Sequence, residues 1–137
     1  MIGILIISHD GLGDSLIHCV NHVMGKRPKY LMHLGVTIQD DPDVTVPKAL
    51  ELLRQLDRGD GVLILSDICG ATPCNIASRL VSLGSVECLA GVNLSMLVRA
   101  LTYRNEPLEV VVEKALTGGK EGVMRIYTRP SDATQGG

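Results

Sequence analysis

The sequence has no tryptophan, no phenylalanine and only three tyrosines among its 137 residues. A chain so poor in aromatic rings cannot build the stacking platforms that hold single-stranded nucleic acid. Positive charge is scarce as well: thirteen Lys and Arg stand against fifteen Asp and Glu, for a formal net charge of −2. With no basic stripe, a binder of the phosphate backbone is excluded. No apolar run approaches the roughly 20 residues of a membrane span. The first residues lack the basic segment of a secretory signal, and the apolar run there is too short for one. A soluble cytoplasmic protein is expected. Its four cysteines, Cys19, Cys69, Cys74 and Cys88, form no compact disulfide framework and stay reduced in that compartment. Cys69 and Cys74 miss the Cys-x-x-Cys redox spacing and read as small buried packing residues, Cys69 lying close enough to the site below to be oxidised.

Aliphatic segments separated by polar turns are abundant. Residues 2–7, Ile-Gly-Ile-Leu-Ile-Ile, read as a strand buried on both faces, ending in Ser8, His9, Asp10 and Gly11. A helix follows Gly13 over residues 14–24, with Leu16, Ile17, Val20 and Val23 at helical spacing and Gly25 as its stop. Residues 30–37 read as a second strand. An acidic loop with Asp40, Asp41 and Asp43 follows and reads as solvated rather than as a metal site. Thr45 is expected to cap the next helix, with Pro47 in its first turn. Residues 61–65 are a third strand, and Thr72-Pro73 marks the start of a helix running to about Ser82. Residues 86–90 make a fourth strand, 94–103 and 108–117 two helices, the second stopped by Gly118-Gly119, and 123–127 a last short strand. Residues 129–137 have the composition of a frayed tail, leaving 1–128 as a single domain.

Strands alternating with helices imply an α/β fold with a doubly wound, mostly parallel sheet. For a chain this short the favoured order is 2-1-3-4. Strands one and three are then neighbours, the winding reverses between them, and ligands bind beyond their carboxyl ends. The polar residues at those two ends are His9 and Asp67. A carboxylate that accepts the Nδ1 proton fixes the imidazole tautomer and leaves Nε2 with a free lone pair. The first amides of the helix after Thr72, with the Gly70 and Ala71 backbone and the Thr72 hydroxyl, can hold a phosphate. Taken singly, a histidine at a strand end is more often a surface residue, and an aspartate after a strand a turn former; the shared switch point raises both. The combination suits phosphoryl transfer onto histidine. Elsewhere, His18 and His22 sit four residues apart on the first helix, a spacing that can bind metal, although no Glu follows His18 to complete a protease motif. His33 has no evident partner.

Three segments resemble a known family. Ile-Gly-Ile-Leu-Ile-Ile-Ser-His-Asp-Gly at 2–11 is similar to the active-histidine segment of enzyme IIA of the mannose-type bacterial sugar phosphotransferase system. Val-Leu-Ile-Leu-Ser-Asp-Ile-Cys-Gly-Ala-Thr-Pro-Cys-Asn at 62–75 resembles its aspartate segment. Ala-Gly-Val-Asn-Leu-Ser-Met-Leu at 90–97 resembles its third signature. The resemblance implies that His9 carries a phosphoryl group taken from the phosphocarrier HPr, that Asp67 hydrogen-bonds the histidine, and that no cofactor or metal takes part. It also implies a homodimer in which the last strand pairs with the partner's sheet. The chain ends without the fused IIB domain of some relatives, so the group is expected to pass to a separate IIB protein or to serve a regulatory switch, with membrane association only through partners. Two positions depart from the family pattern. Asp10 stands where Gly commonly follows the histidine, and its carboxylate either repels the incoming group or favours the imidazolium. Ser95 replaces a usual Pro. A receiver-like domain phosphorylated on aspartate is the competing class, but it needs an acidic pair after strand one and a Lys after the last strand, and neither is present.

Overall fold

The computed structural model describes residues 1–81 and 84–127. Four parallel strands, β1 (Gly3–His9), β2 (Leu31–Val36), β3 (Val62–Ser66) and β4 (Val86–Leu89), form one sheet in the order β2-β1-β3-β4. This is the arrangement expected from the alternation of elements. β1 is central: Ile7 lies level with Leu34 of β2 on one side and with Ser66 of β3 on the other.

The period-two geometry of β1 divides the core. Ile4 and Ile6 point to a layer made by α1 (Leu12–Met24), α4 (Leu94–Thr102) and α5 (Leu108–Glu121), where they meet Ile17, Val20, Leu97 and Ala115. Leu5 and Ile7 point the other way, to α2 (Pro42–Leu56) and α3 (Thr72–Leu80), and pack with Leu53, Leu56, Ile76 and Leu80. With both faces covered, β1 and β3 have no solvent side, which is why they are apolar without alternation. The chain crosses from one layer to the other between β1 and β3, so their carboxyl ends form the switch point.

Three sequence expectations are corrected. The helix expected to start at 14 begins at Leu12, because the Ser8 hydroxyl accepts a hydrogen bond from the Gly13 amide at 2.8 Å and caps the first turn from the preceding strand. The next helix is capped by Asp41 rather than Thr45. The Asp41 side chain accepts from the Asp43 amide at 2.9 Å, Pro42 opens the helix, and Pro47 falls inside it. Thr45 is buried and turns its hydroxyl back to the Asp41 carbonyl. Gly118-Gly119 does not stop α5, which runs on to Glu121. Both glycines are buried against α4; a Cβ would lie 2.6 Å from the Cβ of Arg99 at Gly118 and 2.7 Å from the Met96 methyl at Gly119. They bring two helix backbones together rather than ending one.

Residues 123–127 are the segment expected to pair with a partner's sheet. They form no strand within the chain, and Val123, Met124, Ile126 and Tyr127 are all more than 70% exposed. A strand needs a neighbour to complete its ladder, and among the described residues no strand of the same chain pairs with this segment. Ser82 and the tail at 129–137 lie outside the described residues. No helix among the described residues is long and apolar enough to cross a membrane.

Candidate functional site

His9 closes β1 and Asp67 follows β3 directly, so adjacent parallel strands deliver them side by side. One carboxylate oxygen of Asp67, Oδ2, accepts two hydrogen bonds from His9: the backbone amide at 2.8 Å and ring Nδ1 at 2.8 Å. The other, Oδ1, accepts the Ile68 amide at 2.8 Å. Backbone and ring of the histidine are thus fixed by one acceptor. Burial pushes the Asp67 carboxyl pKa up. The bonds from the His9 amide, the imidazole and the Ile68 amide, with the positive character of His9, outweigh that and hold it below the ordinary carboxylate value. An ionised carboxylate can only accept, so Nδ1 is the donor, and in the neutral ring this tautomer puts the lone pair on Nε2. The His9 side chain is 39% exposed and that of Asp67 9%. The imidazole is thus partly open to solvent, while the carboxylate that holds it is shielded.

Contacts from the segment after β4 support the pair. The Gly91 amide donates to the Asp67 carbonyl and the Val92 amide to that of Ser66, so the exit from β4 buttresses the backbone of the aspartate. Asn93 caps α4 through the Met96 amide and donates its side-chain amide to the Gly119 carbonyl at 3.1 Å. The segment at 90–97 therefore positions Asp67 and locks α4 to α5. Sequence reading marked this segment by resemblance alone; the signal available was Asn93 as a capping residue before an apolar run. Asp10 has a left-handed backbone, φ 43°, a region open to Gly and tolerated by Asp. Its amide donates to the Val36 carbonyl. Its own carbonyl lies so close to Gly35 that a Cβ there would be 2.2 Å away.

Gly70 and Ala71 lie between β3 and α3, and Thr72 opens α3. The Ala71 amide donates to the Ile68 carbonyl, and Gly70 has φ 88°, a turn that takes glycine at its third position. Thr72 is the first residue of α3 rather than its cap. Ala71 occupies the capping position, and no side chain caps the helix. The first-turn amides are therefore not consumed by a capping oxygen and remain available to an anion at this end of the sheet.

The other candidates separate from this site. His18 and His22 are exposed on α1, and among the described residues no group of three or more His, Cys, Asp or Glu could hold a metal. His33, expected to be unpartnered, has Nε2 3.4 Å from Asp14 at the start of α1. Asp40 accepts from the Thr37 amide and hydroxyl, and Asp41 caps α2, so two of the three loop carboxylates close local turns. The reading of Cys69 as a buried packing residue is corrected: it is exposed, at a turn position whose side chain faces solvent. Its thiol pKa is raised by a hydrogen bond with the Cys74 side chain. Burial pushes the Cys88 thiol up to about 11.

Comparison with known proteins places this geometry. Residues 3–116 match the family described as EIIA-man, the PTS system fructose IIA component. The chain is 30% identical over 132 residues to the PTS system mannose-specific EIIAB component of Escherichia coli (strain K12), covering 94% of this chain and 41% of that protein. It thus spans about two-fifths of the length of the curated relatives it matches. Among solved structures, the phosphotransferase system component EIIA from Streptococcus agalactiae superposes with a TM-score of 0.78 at 28% identity, covering 91% of this chain and 97% of that one. The mannose/sorbose specific IIA subunit from Enterococcus faecalis shares the fold, with a TM-score of 0.83 at 20% identity, covering 93% of this chain and 96% of that one. A family match over most of the chain, together with a sheet of the same build, shows that the chain belongs to the EIIA-man family of phosphotransferase system IIA components.

Proposed function

We propose that His9 is a phosphoryl acceptor and donor, charged by phospho-HPr and discharged to a IIB protein of a sugar phosphotransferase system. The observation that carries this reading is the 2.8 Å bond between His9 Nδ1 and Asp67, which leaves Nε2 as the nucleophile on the exposed side of the ring. Nε2 attacks the phosphorus of the donor's phosphohistidine. The N–P bond of the donor breaks, and its electron pair returns to the donor imidazole. The proton on Nδ1 stays on the bond to Asp67, whose charge offsets the positive charge that develops on the His9 ring. The Thr72 hydroxyl and the uncapped first-turn amides of α3, beside the Gly70-Ala71 turn, hold the phosphoryl oxygens. In the onward transfer a nucleophile of IIB attacks the phosphorus, the His9 Nε2–P bond breaks and its electron pair returns to the His9 ring, with no metal and no cofactor.

Asp67 is an orienting group in this scheme rather than a phosphoryl acceptor. Both of its oxygens are occupied by His9 and Ile68, which argues against the receiver class. Residues 1–128 act as one phosphotransferase domain, working in the cytoplasm and reaching a membrane transporter only through its partners. The exposed apolar residues at 123–127 and the open outer edge of β4 support a homodimer in which this segment pairs with the partner's sheet. The test is incubation with labelled phospho-HPr and then with candidate IIB proteins. One phosphoryl group per chain, lost in acid and stable in alkali, is expected. Label on Asp67, or label that persists in His9→Ala, overturns the assignment.

A further inference from the structure

At the amino end of the sheet, opposite His9, the structure holds a second concentration of polar chemistry. A cavity of about 340 Å³ opens beside Lys26, Arg27, Lys29 and Arg104 over a floor that includes Met24 and Leu101. Its volume is within the range of small-molecule sites. No Asp or Glu lines it. Among the described residues, no carboxylate pairs with any of these four cations. This is unusual in a chain whose net charge is −2.

Arg104 makes the cavity more than a solvated basic loop. It is 6% exposed. Nε and Nη2 donate to the Ile2 carbonyl, Nη2 also to Tyr30 at 2.9 Å, and Nη1 to Lys29 at 2.6 Å. These carbonyls occupy four of the five guanidinium N–H groups and leave one. They supply dipoles but no negative charge, so a buried cation stands without a counter-ion. Around it, Lys26, Arg27 and Lys29 are exposed at the rim.

We infer that this cavity is a binding site for a small phosphate-bearing anion, with the phosphate at the Arg27, Lys29 and Arg104 side and a short apolar body over Met24 and Leu101. Two negative charges on one compact group match several converging cations better than a single carboxylate does. β1 alone separates this site from His9 by about 20 Å, so its occupant does not compete for the phosphoryl-accepting nitrogen.

The experiment titrates the full chain with glycerol 3-phosphate, at constant ionic strength set with chloride, by calorimetry and thermal shift. In parallel, vesicles of phosphatidylcholine with and without phosphatidic acid test whether the phosphate comes from a lipid headgroup. Saturable binding of glycerol 3-phosphate, weakened at least tenfold in the Arg27→Glu/Lys29→Glu double variant, is expected. Binding confined to phosphatidic acid vesicles and lost in the same variant keeps the phosphate site and assigns it to a lipid headgroup. The double variant replaces two exposed side chains, and its unliganded melting temperature and labelling by phospho-HPr are expected to match the parent's. Absence of saturable binding in both arms, or equal binding by the double variant, overturns the inference. Neither readout depends on phosphorylation of His9.

Discussion

The two ends of the sheet use a nitrogen-bearing side chain in opposite ways. At the carboxyl end, His9 meets a buried carboxylate through one ring nitrogen and keeps the other free. At the amino end, Arg104 meets backbone carbonyls of both neighbouring strand starts and keeps almost nothing free. The same sheet therefore carries the pair proposed to accept a phosphoryl group and, at its other end, a structural clamp. What separates them is the acceptor. A carboxylate sets tautomer and charge, which matters to chemistry; carbonyl dipoles set position, which matters to the fold. Strand ends at one pole converge on a switch point that the crossovers leave open. Those at the other pole are tied together, with Ile2 also donating to the Arg104 carbonyl at 2.9 Å.

The largest expected effect is at the reactive end. His9→Ala removes the nucleophile and should abolish phosphoryl acceptance from phospho-HPr, measured as label per chain. His18→Ala, His22→Ala and His33→Ala should accept normally. Asp67→Asn keeps the shape but loses the charge that fixes the tautomer, and should slow transfer by roughly 10²-fold. A full-rate Asn variant would mean that His9 is oriented by shape alone and would erase the contrast between the two ends.

Arg104→Met tests the other end. It strands the carbonyls of Ile2, Lys29 and Tyr30 without their donor, at a cost of about 2 kcal/mol in stability. Denaturant unfolding should show that loss, while the phosphoryl transfer rate of the folded protein stays unchanged. A rate defect in a fully folded variant would show that the poles are coupled.

Acid separates the ends further. The folded pKa of Asp67 is depressed, so its ionisation contributes stability at neutral pH that is lost as pH falls from roughly 4 through the lower folded value. Unfolding measured against pH should show this loss in the parent and lack it in Asp67→Asn.

The His9–Asp67 pairing was legible because it depends on strand order alone. Apolar runs without alternation mark central strands, crossovers fix the order, and the residues that end strands one and three must then meet. Other features depend on what packs against a residue, which no local pattern reports. Gly118-Gly119 has the composition of a helix stop, but the side chains of Met96 and Arg99 need its missing Cβ atoms. Thr45 and Asp41 are both good caps, and the choice fell to Asp41 because Pro42 follows it in the first helical position. Arg104 gave no signal at all: an arginine after a helix is ordinary until three distant carbonyls close around it. Residues 123–127 have strand composition, yet a strand is a property of two segments, and the second is not in this chain's sheet.

The smallest expected effect is at Asp10, next to the histidine. Its φ of 43° is a region where a Cβ costs energy and glycine does not. Asp10→Gly should therefore relieve strain in the folded state, while glycine's greater freedom in the unfolded chain offsets part of the gain. The net change should stay within about 1 kcal/mol. Asp10→Ala keeps the Cβ but not the Asp tolerance for this region, and should be the less stable of the two. On the rate, the carboxylate is exposed and screened by salt. Asp10→Asn retains the backbone preference and removes the charge, so it isolates the electrostatic part. A rate change of less than about threefold that disappears at high salt is expected from a screened surface charge. A large, salt-independent change in Asp10→Asn would instead place this second carboxylate in direct contact with the transferring group.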